Sequence, residues 1–183
     1  MATIGHVAVG MAFTRWRNPT GKGWRSFGLP ALGWSALSLS PDSDILSFHI
    51  DIDAEGWDHR GLTHSLFFCL LVASLLAAIA WIRRRDAWEQ FRLAFLLLLT
   101  HPILDMMTIH GLGCMFFWPL SIKRYLLPIE FIPPSRFGAA FLSLAGIQTM
   151  SIEIFLFLPL WLYALWPRKS VAPEVTRTSD AKM

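Results

Sequence analysis

Three stretches of this chain are long and apolar enough to be read as bilayer crossings, each of which takes about 20 apolar residues. Leu62–Ile82 is apolar after its first turn and stops at Arg83-Arg84-Arg85. Phe91–Ile109 carries His101 and Asp105 inside it, and Ala139–Trp166, long enough to span with tilt, holds Glu153 and has Pro159 near its end. Two earlier segments, Ile4–Phe13 and Phe27–Ser40, are shorter and read as short or partly inserted helices. The pattern predicts an all-α, polytopic helical membrane protein with three long transmembrane helices plus two shorter N-terminal helices, up to five crossings in all. Residues 1–166 are expected to form a single helical membrane domain, and 167–183 a polar, mobile tail. No cleavable signal peptide is expected, because the first apolar stretch lacks a basic leader, is interrupted by His6 and runs into Arg15.

Composition sharpens this reading. Of 183 residues, 54% are hydrophobic and 16% charged, against about 25% charged in a soluble domain. A soluble domain of this length could hardly bury so much apolar surface, and disorder requires the opposite composition. The two cysteines, Cys69 and Cys114, sit in apolar surroundings without a CxxC, which argues against a disulfide framework or a cysteine zinc site. A net charge of +3 gives no reason to expect a nucleic-acid partner.

Lys and Arg concentrate on the cytoplasmic side of a membrane protein. Arg15, Arg17, Lys22 and Arg25 lie in one connection, Arg83, Arg84, Arg85 and Arg92 in another, and Arg168, Lys169, Arg177 and Lys182 in the tail. The opposite connections hold only Arg60, Lys123, Arg124 and Arg136. This asymmetry puts 41–60 and 110–138 outside the cytoplasm. It also brings His6, Asp42, Asp44, His59, His64, His101 and Asp105 to the same depth near the outer face, an agreement the basic residues did not require.

Ionisable groups at membrane depth are costly and mark functional sites by default. His101 and Asp105, four residues apart, share one helix face. Imidazoles and carboxylates together form a nitrogen/oxygen ligand set suited to zinc, with manganese as the second choice. The number of candidates could hold one ion or two, the paired arrangement being used to hydrolyse phosphate esters. Glu153 is a further candidate as ligand, as acceptor for a ligating histidine, or as a protonated acid packed between helices.

Each residue also has a structural alternative. His101 beside Pro102 could line a packed interior, and Asp42 after Ser40-Pro41 could form a turn. Asp51, Asp53, Glu55 and Asp58 read as solvated loop charges. His49 and His110 are left out of the candidate site. Thr63 and Ser65 read as helix caps or as partners of ligands, and Thr108 likewise as a partner. Arg60 could stabilise developing negative charge or contact headgroups. Trp57, Trp118 and Tyr125 would sit in an interfacial aromatic belt.

Gly5-His6, Pro41-Asp42-Ser43-Asp44, His59-Arg60-Gly61-Leu62-Thr63-His64-Ser65 and His101 through Gly111 occur in this order. With them the chain resembles the bacterial inner-membrane metal-dependent hydrolases of the YdjM type, whose patterns read PDxD, HRGxTHS and HxxxDxxTxxG. The aromatic–Pro–Ser stretch Phe117-Trp118-Pro119-Leu120-Ser121 is also similar. The resemblance spans about residues 1–165 and implies a metal-site role for the seven His and Asp residues, in the inner membrane. The expected activity is hydrolysis by metal-activated water, with Asp44 or Asp105 as general base and Arg60 stabilising charge. The site's depth favours an amphiphilic or lipid-linked phosphate ester as substrate, and an ester or amide bond second. A metal-ion transporter and a structural membrane protein with a metal staple are the competing classes.

Overall fold

A computed structural model describes residues 3–49, 59–134 and 138–167. The sequence expectations for Asp51, Asp53, Glu55, Trp57, Asp58, Arg136 and the tail from Arg168 lie outside these residues. Six α-helices make up the described chain, with no strand among the described residues. They are α1 (Thr3–Arg17), α2 (Leu29–Leu39), α3 (Leu66–Ile82), α4 (Ala87–Asp105), α5 (Leu144–Leu156) and α6 (Leu158–Leu165).

The all-helical class agrees with the sequence, but the three long spans do not appear as single helices. Among the described residues no helix is long and apolar enough by itself to cross a membrane, and α5 with α6 meets that test only as a pair bent by 64°. Each expected span departs for a local reason. Leu62–His64 forms a separate 3-10 turn, and α3 begins only after Ser65, whose hydroxyl accepts the Phe68 amide as an N-cap. The next helix starts earlier than expected because Asp86 caps it by accepting the Glu89 amide. It stops at Asp105, beyond which Ile109 donates its amide to the Ile132 carbonyl instead of continuing the helix. The last span breaks at Phe157, two residues before Pro159, which has no amide to donate and sits in the first turn of α6.

Helices α3 and α4 form a hairpin closed over Cys69, Ala73, Ala94 and Leu98. Helix α1 packs on α2 and α6. The α1–α2 approach is close: a Cβ on Gly10 would lie 2.5 Å from the Ser35 Cα. The Ser35 hydroxyl donates to the Val7 carbonyl across the same seam at 3.3 Å. After α4 the chain runs without regular structure, tied back by isolated bridges between Thr108 and Ile132 and between Cys114 and Tyr125.

Polarity is inverted relative to a water-soluble fold. His6, Asp42, Asp44, His64, His101, Asp105 and Glu153 are buried, while Phe67, Leu71, Leu75 and Ile79 of α3 and Ile152, Phe155 and Leu162 of α5–α6 are exposed. An apolar exterior of this extent is suited to hydrocarbon rather than water.

Two opposite ends follow from the topology. The start of α1, the segment after α2, the start of α3 and the end of α4 meet at one end. At the other, Arg17 near the end of α1 pairs with Glu89 in the first turn of α4 at 2.6 Å. Filling the α1–α2 seam should therefore loosen the bundle. Gly10→Val is expected to destabilise the protein by about 1–3 kcal/mol, read as a lower unfolding midpoint in detergent, whereas Gly33→Ala, where an added Cβ meets nothing within 4 Å, should leave the midpoint nearly unchanged.

Candidate metal centre

The converging end is built from helix termini and short turns because aspartate is a short side chain, so its backbone must come close. Beyond α2 the chain tightens into the 3-10 segment Ser40–His49, which carries Asp42 and Asp44. The 3-10 turn before α3 carries His64, and the last turn of α4 carries His101 and Asp105.

Hydrogen bonding fixes the imidazoles. His101 Nδ1 lies 2.6 Å from the Ser38 carbonyl, which can only accept, so this nitrogen carries the proton. His101 Nε2 then presents a lone pair, and it lies 3.3 Å from Asp42 Oδ1. His64 Nδ1 faces Asp44 Oδ2 at 3.1 Å, which likewise favours a proton on that nitrogen. His64 Nε2 is left 3.3 Å from Asp105 Oδ2 and 3.6 Å from Asp42 Oδ1. Among the described residues neither Nε2 makes a hydrogen bond, nor does either oxygen of Asp42, although all are buried. Lone pairs facing carboxylates at this range repel unless a proton or a cation lies between them. The bond from a ligating histidine's second nitrogen to a backbone carbonyl or carboxylate is also the usual support at metal sites.

Asp42, His64, His101 and Asp105 thus each offer a ligand atom, all within 4.8 Å of one another. This two-nitrogen, two-oxygen set could hold a divalent metal ion. Asp42, Asp44 and His59 form a second group within the same limit, so Asp42 is common to both. His59 Nδ1 lies 3.1 Å from Asp44 Oδ1.

Other residues hold these groups in place. His6 stands outside both groups, with its Nε2 3.3 Å from Asp105 Oδ1 and its ring stacked on His101 at 3.7 Å. Thr63 donates to Asp44 Oδ2 at 3.0 Å, and Ser65 caps α3, as their sequence positions suggested. Glu153 is also outside both groups; its carboxylate accepts the Ile4 amide at 3.1 Å, at the start of α1. Burial alone would raise the pKa of both loop carboxylates. At Asp44 the hydrogen bonds and charges of His59 and His64 outweigh it and hold that acid well below the usual range.

Arg60 is not at a headgroup. Its guanidinium is buried, with Nε 3.2 Å from Asp105 Oδ2 and Nη2 donating to Thr108 at 3.1 Å. Its amide donates to Asp44 Oδ2 at 2.8 Å. A Cβ on Gly111 would sit 2.6 Å from Arg60 Nη1, so glycine there leaves room for the guanidinium. Arg60 itself adopts φ 65°, a conformation rare outside glycine. The Ser38 carbonyl has no signature in the sequence, because any residue could supply it.

These features define a compact helical protein with an apolar exterior and a buried histidine–aspartate cluster at one end. The chain belongs to the YdjM inner membrane protein family, which it matches over residues 1–171. It is similar to inner membrane protein YbcI of Escherichia coli (strain K12), with 35% identity over 108 residues that cover 56% of this chain and 60% of that protein. No solved structure matches it. The family and the relative make it an inner membrane protein, surrounded by a lipid bilayer.

The cluster predicts a selective pattern of cation loss. Detergent-purified protein loaded with zinc and analysed by mass spectrometry should retain bound ion. His64→Ala and Asp105→Ala should each lose it, and Glu153→Gln, changed outside both groups, should keep it.

Proposed function

We propose that the protein is a membrane-embedded metal-dependent hydrolase acting on a phosphate ester or lipid-like amphiphile near the outer face of the inner membrane. The observation that carries this reading is Asp42, shared between two groups of ligand atoms, because two adjoining ligand groups suit the paired ions used in phosphate ester hydrolysis. Asp42, His64, His101 and Asp105 would hold one ion, and Asp42, Asp44 and His59 a second. Zinc is the first choice and manganese the second. Such a cation supplies Lewis-acid stabilisation and brings the pKa of water near neutrality.

The chain's own residues divide the remaining work. Asp44 and Asp105 are the candidates to take the proton from the attacking water. His59 and Thr63 lie on Asp44, and His6 and Arg60 on Asp105, so either acid acts as base only by releasing a neighbour. Arg60 reads best as a positioning residue that orients Asp105 and keeps a positive charge beside the reacting group. Among the described residues the least buried edge of the cluster is the Asp42–Asp44–His59 side, each residue about 8% accessible, while His6, His64, His101 and Asp105 are fully buried. Substrate therefore approaches from that edge. In the topology we propose, the α3–α4 hairpin and the bent α5–α6 pair would enter the bilayer with α1 and α2 partly or fully inserted, and the asymmetry of the basic residues supports an outer position for the cluster.

The depth of burial also favours a second reading, a metal staple that only ties helix ends together. The transporter reading gains no support from ligands gathered at one end. Substituting Asp44→Asn tests these alternatives. For a hydrolase, chelator-sensitive phosphate release from a lipid phosphomonoester in mixed micelles should fall about a hundredfold with little change in the unfolding midpoint. A staple predicts no turnover in the wild type and a clear fall in that midpoint. Zinc uptake into proteoliposomes by the wild type would overturn the hydrolase reading in favour of transport.

A further inference from the structure

A second polar feature lies at the opposite end of the bundle. A cavity of about 370 Å³ opens there, lined by Arg15, Lys22, Gly23, Phe27, Leu165 and Trp166 among others. Its unusual element is Arg15, which is buried yet has no carboxylate partner among the described residues. Arg15 Nε donates to the Ala164 carbonyl at 2.9 Å, near the end of α6, and Nη1 donates to the Gly21 carbonyl at 2.9 Å. The Phe27 ring lies under the guanidinium, with its centroid 4.3 Å away. Three neighbours thus fix the plane of the guanidinium, and Nη2 is the nitrogen that makes no hydrogen bond to any described residue.

The surroundings indicate what would complete it. Carbonyl oxygens satisfy the donors of Arg15 but do not neutralise its charge, and Lys22 adds a second cation at the rim with no acidic partner among the described residues. Of the acids at this end, Glu89 is taken by Arg17 and Asp86 caps α4. The rest of the lining is apolar or aromatic, with Trp166 exposed. An arginine held by carbonyls, an exposed lysine, an exposed tryptophan and an apolar wall together match the headgroup and first acyl carbons of an anionic lipid. The volume lies in the range of small-ligand pockets. A basic end that only set orientation would leave its arginines extended into water, as the exposed Arg83, Arg84 and Arg85 are.

We propose that this cavity is a binding site for the phosphate of an anionic phospholipid, held by Arg15 and Lys22 with the glycerol region against Phe27 and Trp166. It is separate from the histidine–aspartate cluster and does not depend on what that cluster does.

The test uses the full chain in nanodiscs, with retained lipid counted by native mass spectrometry after exchange between phosphatidylglycerol and phosphatidylcholine. Wild type should retain phosphatidylglycerol preferentially. Lys22→Gln, at an exposed position that leaves the packing of Arg15 intact, should weaken retention about fivefold. Arg17→Gln, outside the cavity, should leave it unchanged and so controls for loss of bulk positive charge. Equal retention of the two lipids by the wild type, or an equal effect of Arg17→Gln and Lys22→Gln, would overturn the proposal. Millimolar inorganic phosphate distinguishes the source of the anion: displacement of the lipid at that concentration would show a free-phosphate site and overturn the lipid assignment, and failure to displace it supports the lipid.

Discussion

Carboxylates and imidazole lone pairs turned toward one another in an apolar fold are the constraint on which the rest of the structure depends. Charges moved out of water cost several kcal/mol each unless they are compensated. In this chain only part of the compensation is local. His101 commits one nitrogen to the Ser38 carbonyl, His64 commits one to Asp44, and the second nitrogen of each faces Asp42 or Asp105. Helix geometry gives way to this requirement. Were the chain regular through Leu62–His64, or beyond Asp105, the short aspartates and the histidines could not reach one another, and the 3-10 turns are the local cost of the approach.

Arg60 joins the two halves of the cluster. Its backbone amide serves Asp44 and its guanidinium serves Asp105, so one residue in a left-handed conformation connects the segment after α2 with the end of α4. Thr108 receives the guanidinium and Gly111 leaves space for it. The spacing of Asp105, Thr108 and Gly111 thus has a physical reason: it builds the seat of an arginine that lies far away in sequence. Strain of this kind persists only where its surroundings over-determine it, and here hydrogen bonds to Asp44 and Thr108 and an ion pair with Asp105 do so.

The sequence made the site more legible than the fold. His6, Asp42, Asp44, His59, His64, His101 and Asp105 stand out because an apolar background makes each polar residue expensive, and charge asymmetry alone brought them to one end. Their ranks were not legible. The sequence treats His6, Glu153 and His101 alike, whereas three-dimensional packing puts His6 behind Asp105, Glu153 on the Ile4 amide and His101 among the converging ligand atoms. Arg60 could be read as a headgroup contact only because nothing in its neighbourhood announces a partner 45 residues onward. Helix continuity was misjudged for a similar reason. Apolar runs report burial or lipid contact, not backbone regularity, so Leu62–Ile82 looked uniform although Gly61 and the Ser65 cap break it. Ala139–Trp166 was likewise read as one tilted span, although Pro159 lies two residues beyond the break between α5 and α6.

Helix ends add a reason why the cluster could hold a cation. Asp105 is the last residue of α4, and Asp42 follows α2 by three residues. Both acids therefore sit where the helix macrodipole is negative, the wrong sign for an anion. The helix starts that reach this end bring partial positive charge, yet that of α1 is met by Glu153 and that of α3 by the Ser65 cap. Two buried carboxylates at two helix C-termini leave an excess of negative potential that neutral imidazoles cannot cancel. At the far end Arg15 lies against the negative terminus of α6, which offsets only a fraction of its charge. There the side chain supplies the positive charge itself. At the cluster, Arg60 supplies one such charge against Asp105, and the remaining acids could be met by a bound cation or a protonated imidazole.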